Sequence, residues 1–253
     1  MKSAKKIVKE IFYALGLEIG VYRPDLNLEG PNLLGANHLS DIRRLTRSNP
    51  SIVFDVGANR GQSVRDYKAL VPHCEIHSFE PSPETYKLLV EEVGAYPNVY
   101  LNNSAVGSSC RKKTLFENSS ADMSSFLQPD KFCWGEILRE TEVEVTTLDR
   151  YCKEKDITHI SLLKTDTQGY DFEVLKGADE LMRSNRIELI FMEVIFSAMY
   201  KDLPAFDEVY RFLVDRGFKL VSFYQFYYQQ EMASWSDALF VNTSFDYSKI
   251  PRV

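Results

Sequence analysis

From residue 51 onward the chain alternates short apolar runs with amphipathic helical stretches, and no other feature limits its fold so tightly. The runs fall at residues 51–56, 75–79, 98–103, 160–165, 187–193, 218–226 and 238–241. Between them apolar residues recur at helical spacing. The sets are Val64, Tyr67, Leu70 and Val71; Tyr86, Leu89, Val90 and Val93; Phe172, Leu175 and Leu181; and Phe206, Val209, Tyr210 and Leu213. A helix between two strands provides the crossover that parallel pairing needs; the last two runs lie too close together for one and must pair antiparallel. The expected fold is α/β: a mostly parallel seven-stranded sheet with a C-terminal antiparallel hairpin. Residues 107–140 break the alternation with a stretch rich in Ser, Asn and Asp that runs into a strand-like 142–147. An insertion of that length is expected to cover one face of a ligand cleft.

Residues 1–50 stand outside the pattern. Lys2, Lys5, Lys6 and Lys9 are interleaved with Ile7, Val8, Ile11, Phe12 and Leu15, an amphipathic helix with a basic face, and a loop and a short helix near 40–46 follow. The expected division is an N-terminal helical appendage, 1–50, and a main domain, 51–253. The basic helix is expected to pack on that domain, with peripheral docking on the inner face of an anionic membrane as the alternative. No run of about 20 apolar residues marks a membrane span, and a cytoplasmic location is expected. The formal net charge of −6 offers a phosphate backbone no general attraction, so nucleic acid is not an expected partner. Cys74, Cys110, Cys133 and Cys152 lack CxxC spacing and a neighbouring His pair, which points to free thiols rather than a zinc site.

Ligands of open α/β sheets sit beyond the carboxyl ends of the strands, and four such ends carry polar residues. The first is Val53-Phe54-Asp55-Val56-Gly57-Ala58-Asn59-Arg60-Gly61. Gly57, Asn59 and Gln62 stand where a dinucleotide fingerprint needs three glycines, so a pyrophosphate finds no bare path. Gly57 and Gly61 still allow a tight turn and close approach, and Asp55 can accept from the turn or from a bound ammonium. The second is Ser78-Phe79-Glu80-Pro81-Ser82, with Glu80 lying 23 residues after Gly57, the spacing of a carboxylate that binds ribose hydroxyls. The third, Asn102-Asn103-Ser104-Ala105-Val106-Gly107, offers Ser104 and Ala105 to a base edge. In the fourth, 162–171, Lys164 and Asp166 project from one face of a strand, where such charges are costly unless paired or at the ligand end. Glu193 closes the next strand and is expected to join them.

These segments, with Val145-Thr146-Thr147-Leu148-Asp149 and Lys164-Thr165-Asp166-Thr167-Gln168-Gly169-Tyr170-Asp171, resemble the FkbM family of methyltransferases over roughly residues 51–241. The resemblance implies a Rossmann-like class I methyltransferase fold, S-adenosylmethionine as cofactor, and O-methylation of a sugar, glycan or polyketide-like natural product. Gln168 stands where the family's usual motif carries Glu, which removes a charge; Asp171 stands where Glu is frequent. The expected cofactor-binding set is Asp55, Gly57, Asn59, Gly61, Glu80, Ser82, Ser104, Ala105, Asp166 and Gln168.

An alcohol attacks a methyl group well only once its proton is partly removed. Asp166 is the first choice of base, with Lys164 orienting it or holding charge and Glu193 in the same cluster. A divalent metal on Asp166 and Glu193 is the alternative way to activate the acceptor, though no metal site is assigned. His38 and His159 stand apart. Tyr227, Tyr228 and Trp235, among the aromatics near the final hairpin turn, are expected to bind the acceptor. A catalytically inactive cofactor-binding module and an NAD-dependent oxidoreductase are the competing readings, the second opposed by the glycine pattern.

Overall fold

Five of the apolar runs become parallel strands, and four of them, all but the edge strand Val99–Asn102, are buried on both faces, as a sheet covered by helices requires. The computed structural model describes residues 34–46 and 50–245, and the expected basic helix of residues 1–20 lies outside them. In chain order the elements are α1 (His38–Leu45), β1 (Ile52–Val56), α2 (Gln62–Leu70), β2 (Glu75–Phe79), α3 (Pro83–Val93), β3 (Val99–Asn102), β4 (Ala105–Val106), β5 (Arg111–Asn118) and β6 (Ile137–Thr146). There follow α4 (Leu148–Glu154), β7 (Ile160–Thr165), α5 (Asp171–Lys176), α6 (Asp179–Arg183), β8 (Ile187–Ile195), α7 (Phe206–Val214), β9 (Phe218–Gln229) and β10 (Met232–Asn242).

The main sheet has the order β3-β2-β1-β7-β8-β10-β9. Pairing is parallel as far as β8, and β10 then runs antiparallel to both β8 and β9. The final strand is therefore inserted between β8 and β9, which leaves β9 at the edge. This is the layout of Rossmann-like methyltransferases, as the alternation and the resemblance implied.

Alternation along the central strands divides the core into two layers. Phe54, Phe79, Leu163, Ile190 and Phe240 face one side. Val53, Ile76, Leu162, Leu189 and Leu239 face the other, where Ile42 and Leu45 of α1 join them. Each such side chain contributes about 1.5–3 kcal/mol by leaving water. α1 thus lies in the same compact unit as the sheet, although the division expected at residue 50 placed it in the appendage. It begins two residues before the expected 40, because the Asn37 side chain accepts from Ser40 N and caps it.

Three expectations need correction. Val90 and Tyr210 were placed on buried helix faces, yet both are exposed, because Leu89 with Val93, and Val209 with Leu213, already fill the stripe facing the sheet. The helical stretch expected over Phe172–Leu181 is two short helices, α5 and α6, broken at Gly177 and Ala178. The polar insertion holds more strand than the expected 142–147: β5 and β6 form an antiparallel hairpin, and β4 extends it to a three-stranded sheet of order β4-β6-β5. Its inner face buries Leu115, Val143 and Val145 against Ala105, Phe126 and Tyr170. Glu140, Glu142 and Glu144 point outward along β6, alternating with the buried Val143 and Val145.

Candidate functional site

The β1–α2 turn is built around a close approach of two strand ends. The N–H groups of Gly57 and Ala58 both donate to Phe79 O at 3.0 Å, fixing the turn to β2. Gly57 has φ 79°, and a Cβ there would lie 1.9 Å from Asp166 O on the β7 side. Its bareness therefore serves the packing of β1 against β7, where the sequence pointed to approach by a ligand. Asp55 is fully buried, with Oδ1 3.0 Å from Lys164 Nζ and neither oxygen receiving a well-aligned hydrogen bond. Lys164 Nζ also donates to Gly57 O at 3.1 Å and stands 3.8 Å from Asp166 Oδ2. Burial lowers its pKa, but Asp55 and Asp166 outweigh that and raise it, so Lys164 stays protonated. Lys164 is a buried ion-pair partner under the turn, beside Asp166, and is not among the residues that line the cleft.

Above this floor opens a cleft, about 670 Å³ when the open solvent at its mouth is counted. Gly57, Asn59, Glu80, Ala105, Asp166 and Gln168 line it, together with Phe79, Val106, Leu115 and Phe126. The accessory sheet and its 121–126 loop form one wall, the cover expected of the insertion. Glu80 Oε2 accepts from Asn59 N at 3.0 Å and Oε1 from Ser82 N at 2.9 Å. Burial, opposed by these bonds, raises the Glu80 carboxyl to about 7. Four residues of the expected binding set are not in the lining. Asp55 lies beneath it. Gly61, at φ 82°, starts α2, and a Cβ there would press on Val93. Ser82 caps α3 by accepting from Thr85 N and donates its hydroxyl to Glu117. Ser104 is also outside; its neighbour Asn103 donates from Nδ2 to Glu80 O at 2.9 Å and so steadies the ribose-side turn.

Asp166 follows β7 directly, its N–H bonded to Val56 O, with 44% of its side chain open. The loop after it is held in an unusual backbone: Gln168 has φ 53° and Gly169 φ 86°. Asp171 closes it by accepting from Thr167 N at 3.3 Å, and burial raises that carboxyl to about 6. The turn brings the Gln168 amide between two carboxylates. Nε2 donates to Asp166 Oδ1 at 3.0 Å and to Glu193 Oε2 at 3.2 Å, while Oε1 accepts from Tyr200 at 2.9 Å. Glu193 is buried, does not line the cleft, and reaches Asp166 only through this amide. Desolvation, then Asp166 and Asp171, hold its pKa well above the carboxylate range. Asp237 pairs in register with Glu193 on β10, and burial and Asp166 raise it to about 7. Asp237 was missed because the last strand was read from residue 238. Tyr200 had no local signal at all. Among the described residues no three His, Cys, Asp or Glu side chains gather as metal ligands.

The hairpin differs from expectation in length. β9 and β10 run to a turn at Gln230 and Glu231, both with positive φ, as tight hairpins require. Tyr227, Tyr228 and Trp235 therefore sit on its arms and not on a turn, and none lines the cleft. Tyr227 stacks on Trp235 at 4.7 Å, and Trp235 packs toward Met123, Ile195, Met199 and Tyr200. Tyr228 is 65% exposed. His38 stacks on Phe191, and His159 is 3.7 Å from Glu188; neither lines the cleft.

Residues 55–220 match the methyltransferase FkbM domain model, which spans well over half of the chain. The chain belongs to the FkbM methyltransferase family. It is 25% identical over 195 residues to the 2-O-methyltransferase NoeI of Sinorhizobium fredii, covering 69% of this chain and 79% of that protein. It is 29% identical over 175 residues to the methyltransferase sdnD of Sordaria araneosa, covering 57% and 66% respectively. Among solved structures, Aeropyrum pernix fibrillarin in complex with S-adenosyl-L-methionine aligns at TM-score 0.45 and 10% identity over 78% of this chain and 68% of that one.

As an FkbM methyltransferase, the protein uses S-adenosylmethionine as methyl donor. The chemistry of the cleft fits that group. Glu80 offers a carboxylate to a diol, and Phe79, Val106, Leu115 and Phe126 offer apolar walls to a purine. Among the described residues no helix is long and apolar enough to cross a membrane.

Proposed function

We propose that the protein methylates a hydroxyl group of a sugar, glycan or polyketide-like natural product, with Asp166 as the proton acceptor. One observation carries the reading: Asp166, at the end of a central strand, is a partly exposed carboxylate on the cleft, whereas Glu80 is buried, and one Asp166 oxygen is held by Gln168. The donor supplies an electrophilic methyl group when bound, and orientation of the acceptor toward it contributes about 7–11 kcal/mol of barrier lowering. Glu80, with Asn59 and Ser82 N–H groups behind it, binds the ribose. Asp166 Oδ2 takes the acceptor's proton as the new O–C bond forms. Gln168 keeps the Asp166 carboxylate turned to the cleft and shields it from Glu193. Lys164 and Asp55 hold the floor.

The Asp166 carboxylate at the cleft disfavours an anionic acceptor beside it and favours an uncharged polyol. The 2-O-methyltransferase name of the Sinorhizobium relative supports hydroxyl chemistry. Tyr228 and the Tyr227–Trp235 stack, beyond the carboxyl end of β8, supply ring faces for an acceptor. Asp166→Asn is expected to retain donor affinity by calorimetry while turnover falls about 10²-fold or more. A screen of hydroxylated glycans and metabolites with labelled donor provides the substrate. A fully active Asp166→Asn enzyme removes Asp166 as base; absence of any turnover favours the inactive-module reading.

A further inference from the structure

On the reading of this cleft as the donor site, we infer that Glu117 is a positioning residue for the methyl donor, acting from the accessory sheet through Ser82 on Glu80. Glu117 lies on β5 and is buried, but it does not line the cleft. Its carboxylate collects four donors. Arg139 on β6 gives Nε to Oε1 and Nη2 to Oε2, both at 2.8 Å, the paired geometry that orients a carboxylate most firmly. Thr141 gives its hydroxyl to Oε1. Ser82, on the main sheet's β2–α3 turn, gives its hydroxyl to Oε2 at 2.7 Å.

The last bond crosses between the two sheets, and Arg139 reinforces it by pairing with Glu84 in the first turn of α3. Ser82 in turn donates its N–H to Glu80 Oε1. A continuous chain of charge-assisted bonds thus runs from Arg139 through Glu117 and Ser82 to the carboxylate assigned to the ribose. Pro81, between Glu80 and Ser82, has no N–H to give, so within this turn the N–H to Glu80 Oε1 comes from Ser82. The same latch joins two parts of the cleft lining, Leu115 on β5 and Glu80 with Pro81 on the β2–α3 turn. At the far end Ser125 Oγ donates to Gln168 O at 2.7 Å, a second strap beside Asp166. The wall is tied at the ribose end and at the methyl end. Arg139, the largest cause, holds the Glu117 carboxyl at about 2, so the latch stays charged at every working pH.

The test is donor affinity by calorimetry in wild type, Glu117→Gln, Ser82→Ala and the double variant, with thermal melting and kcat measured alongside. Glu117→Gln is expected to raise the donor Kd about tenfold, the loss of one charged hydrogen bond, with kcat at saturating donor within about twofold. In the Ser82→Ala background the same substitution adds nothing, because the chain is already cut. The pH midpoint of donor binding moves upward in Glu117→Gln, since Glu80 loses a well-placed N–H while facing the same Lys164 and Asp55. If Glu117→Gln does not fold, Arg139→Lys, which keeps the charge and loses the paired geometry, is expected to shift Kd in the same direction by a smaller factor. An unchanged Kd in a folded variant, or additive effects in the double variant, overturns the inference while the donor site stands. Wild-type affinity in Glu80→Ala overturns the donor site, and the inference with it.

Discussion

Gly57→Ala should damage this enzyme through the protein itself and not through the ligand. At φ 79° an alanine pays about 1–2 kcal/mol for a left-handed backbone. Its Cβ would stand 1.9 Å from Asp166 O and 2.9 Å from Asp166 C, where ordinary contact begins near 3.4 Å. Relief requires the β1 and β7 ends to part by more than an ångström, and strain of that kind adds about 1–3 kcal/mol. The sum, roughly 2–5 kcal/mol, is a large part of the stability of an ordinary domain. The atoms that must move belong to Asp166, so turnover in the folded fraction should also drop by about 10²-fold, the usual effect of a 1 Å misplacement. Urea denaturation gives the first quantity, and kcat at saturating donor, measured well below the melting temperature, gives the second. A variant as stable and as fast as wild type would refute the account of Gly57 as the spacer between two strands. A variant of wild-type stability that merely binds the donor poorly would restore the simpler idea that its bareness serves the ligand.

Donor affinity should depend on pH through Glu80. Its carboxyl is raised from 4.5 to about 7 without ligand, so protonation favours the fold between those values and that stability is lost as pH rises through 7. Ribose hydroxyls select the ionised form, so the donor Kd should fall as pH rises to about 7 and level off above; a flat calorimetric series from pH 5.5 to 8.5 would count against Glu80. Gln168→Glu places a third carboxylate beside Asp166 and Glu193, where the amide now stands at 3.0 and 3.2 Å. At an effective dielectric of about 20 two such charges repel by about 4 kcal/mol, reduced by the partial exposure of Asp166. The acid limb of kcat should therefore move up by about one pH unit or more, and an unmoved profile would contradict the bridging role. Tyr228→Ala should raise the acceptor KM with little change in melting temperature, because that ring is mostly exposed. Trp235→Ala should lower the melting temperature as well, since it removes a stacked and packed ring; acceptor kinetics unchanged in both would return these aromatics to a structural role.

The strand ends were legible because chemistry leaves marks there that packing does not. An acidic residue such as Glu80 at the close of an apolar strand, or Lys164 and Asp166 two apart in one, has no cheap place in a core, so its position alone announced a polar site. What Lys164 does was not legible: its partner Asp55 lies more than a hundred residues earlier, and only the parallel register of β1 with β7 sets them side by side. The same holds for Gln168. As a sequence symbol it is a missing charge; in the fold its amide is the donor between two carboxylates, aimed by Tyr200 from a distant loop.

Residue by residue, the sequence determined the periodicities: which segments are strands, which helices face the sheet, and hence the α/β class and the end of the sheet that binds ligand. Local pattern is enough for this, because burying an apolar face is a local demand with few global solutions. Tertiary structure alone decided that the polar insertion folds into a sheet, that the hairpin arms extend to Gln229 and Met232, and that Asp237 comes beside Glu193. It also decided that Gly57 is bare for the sake of Asp166. Each of these depends on which strand lies next to which, and that adjacency is a property of the whole chain's packing that no short window of residues contains.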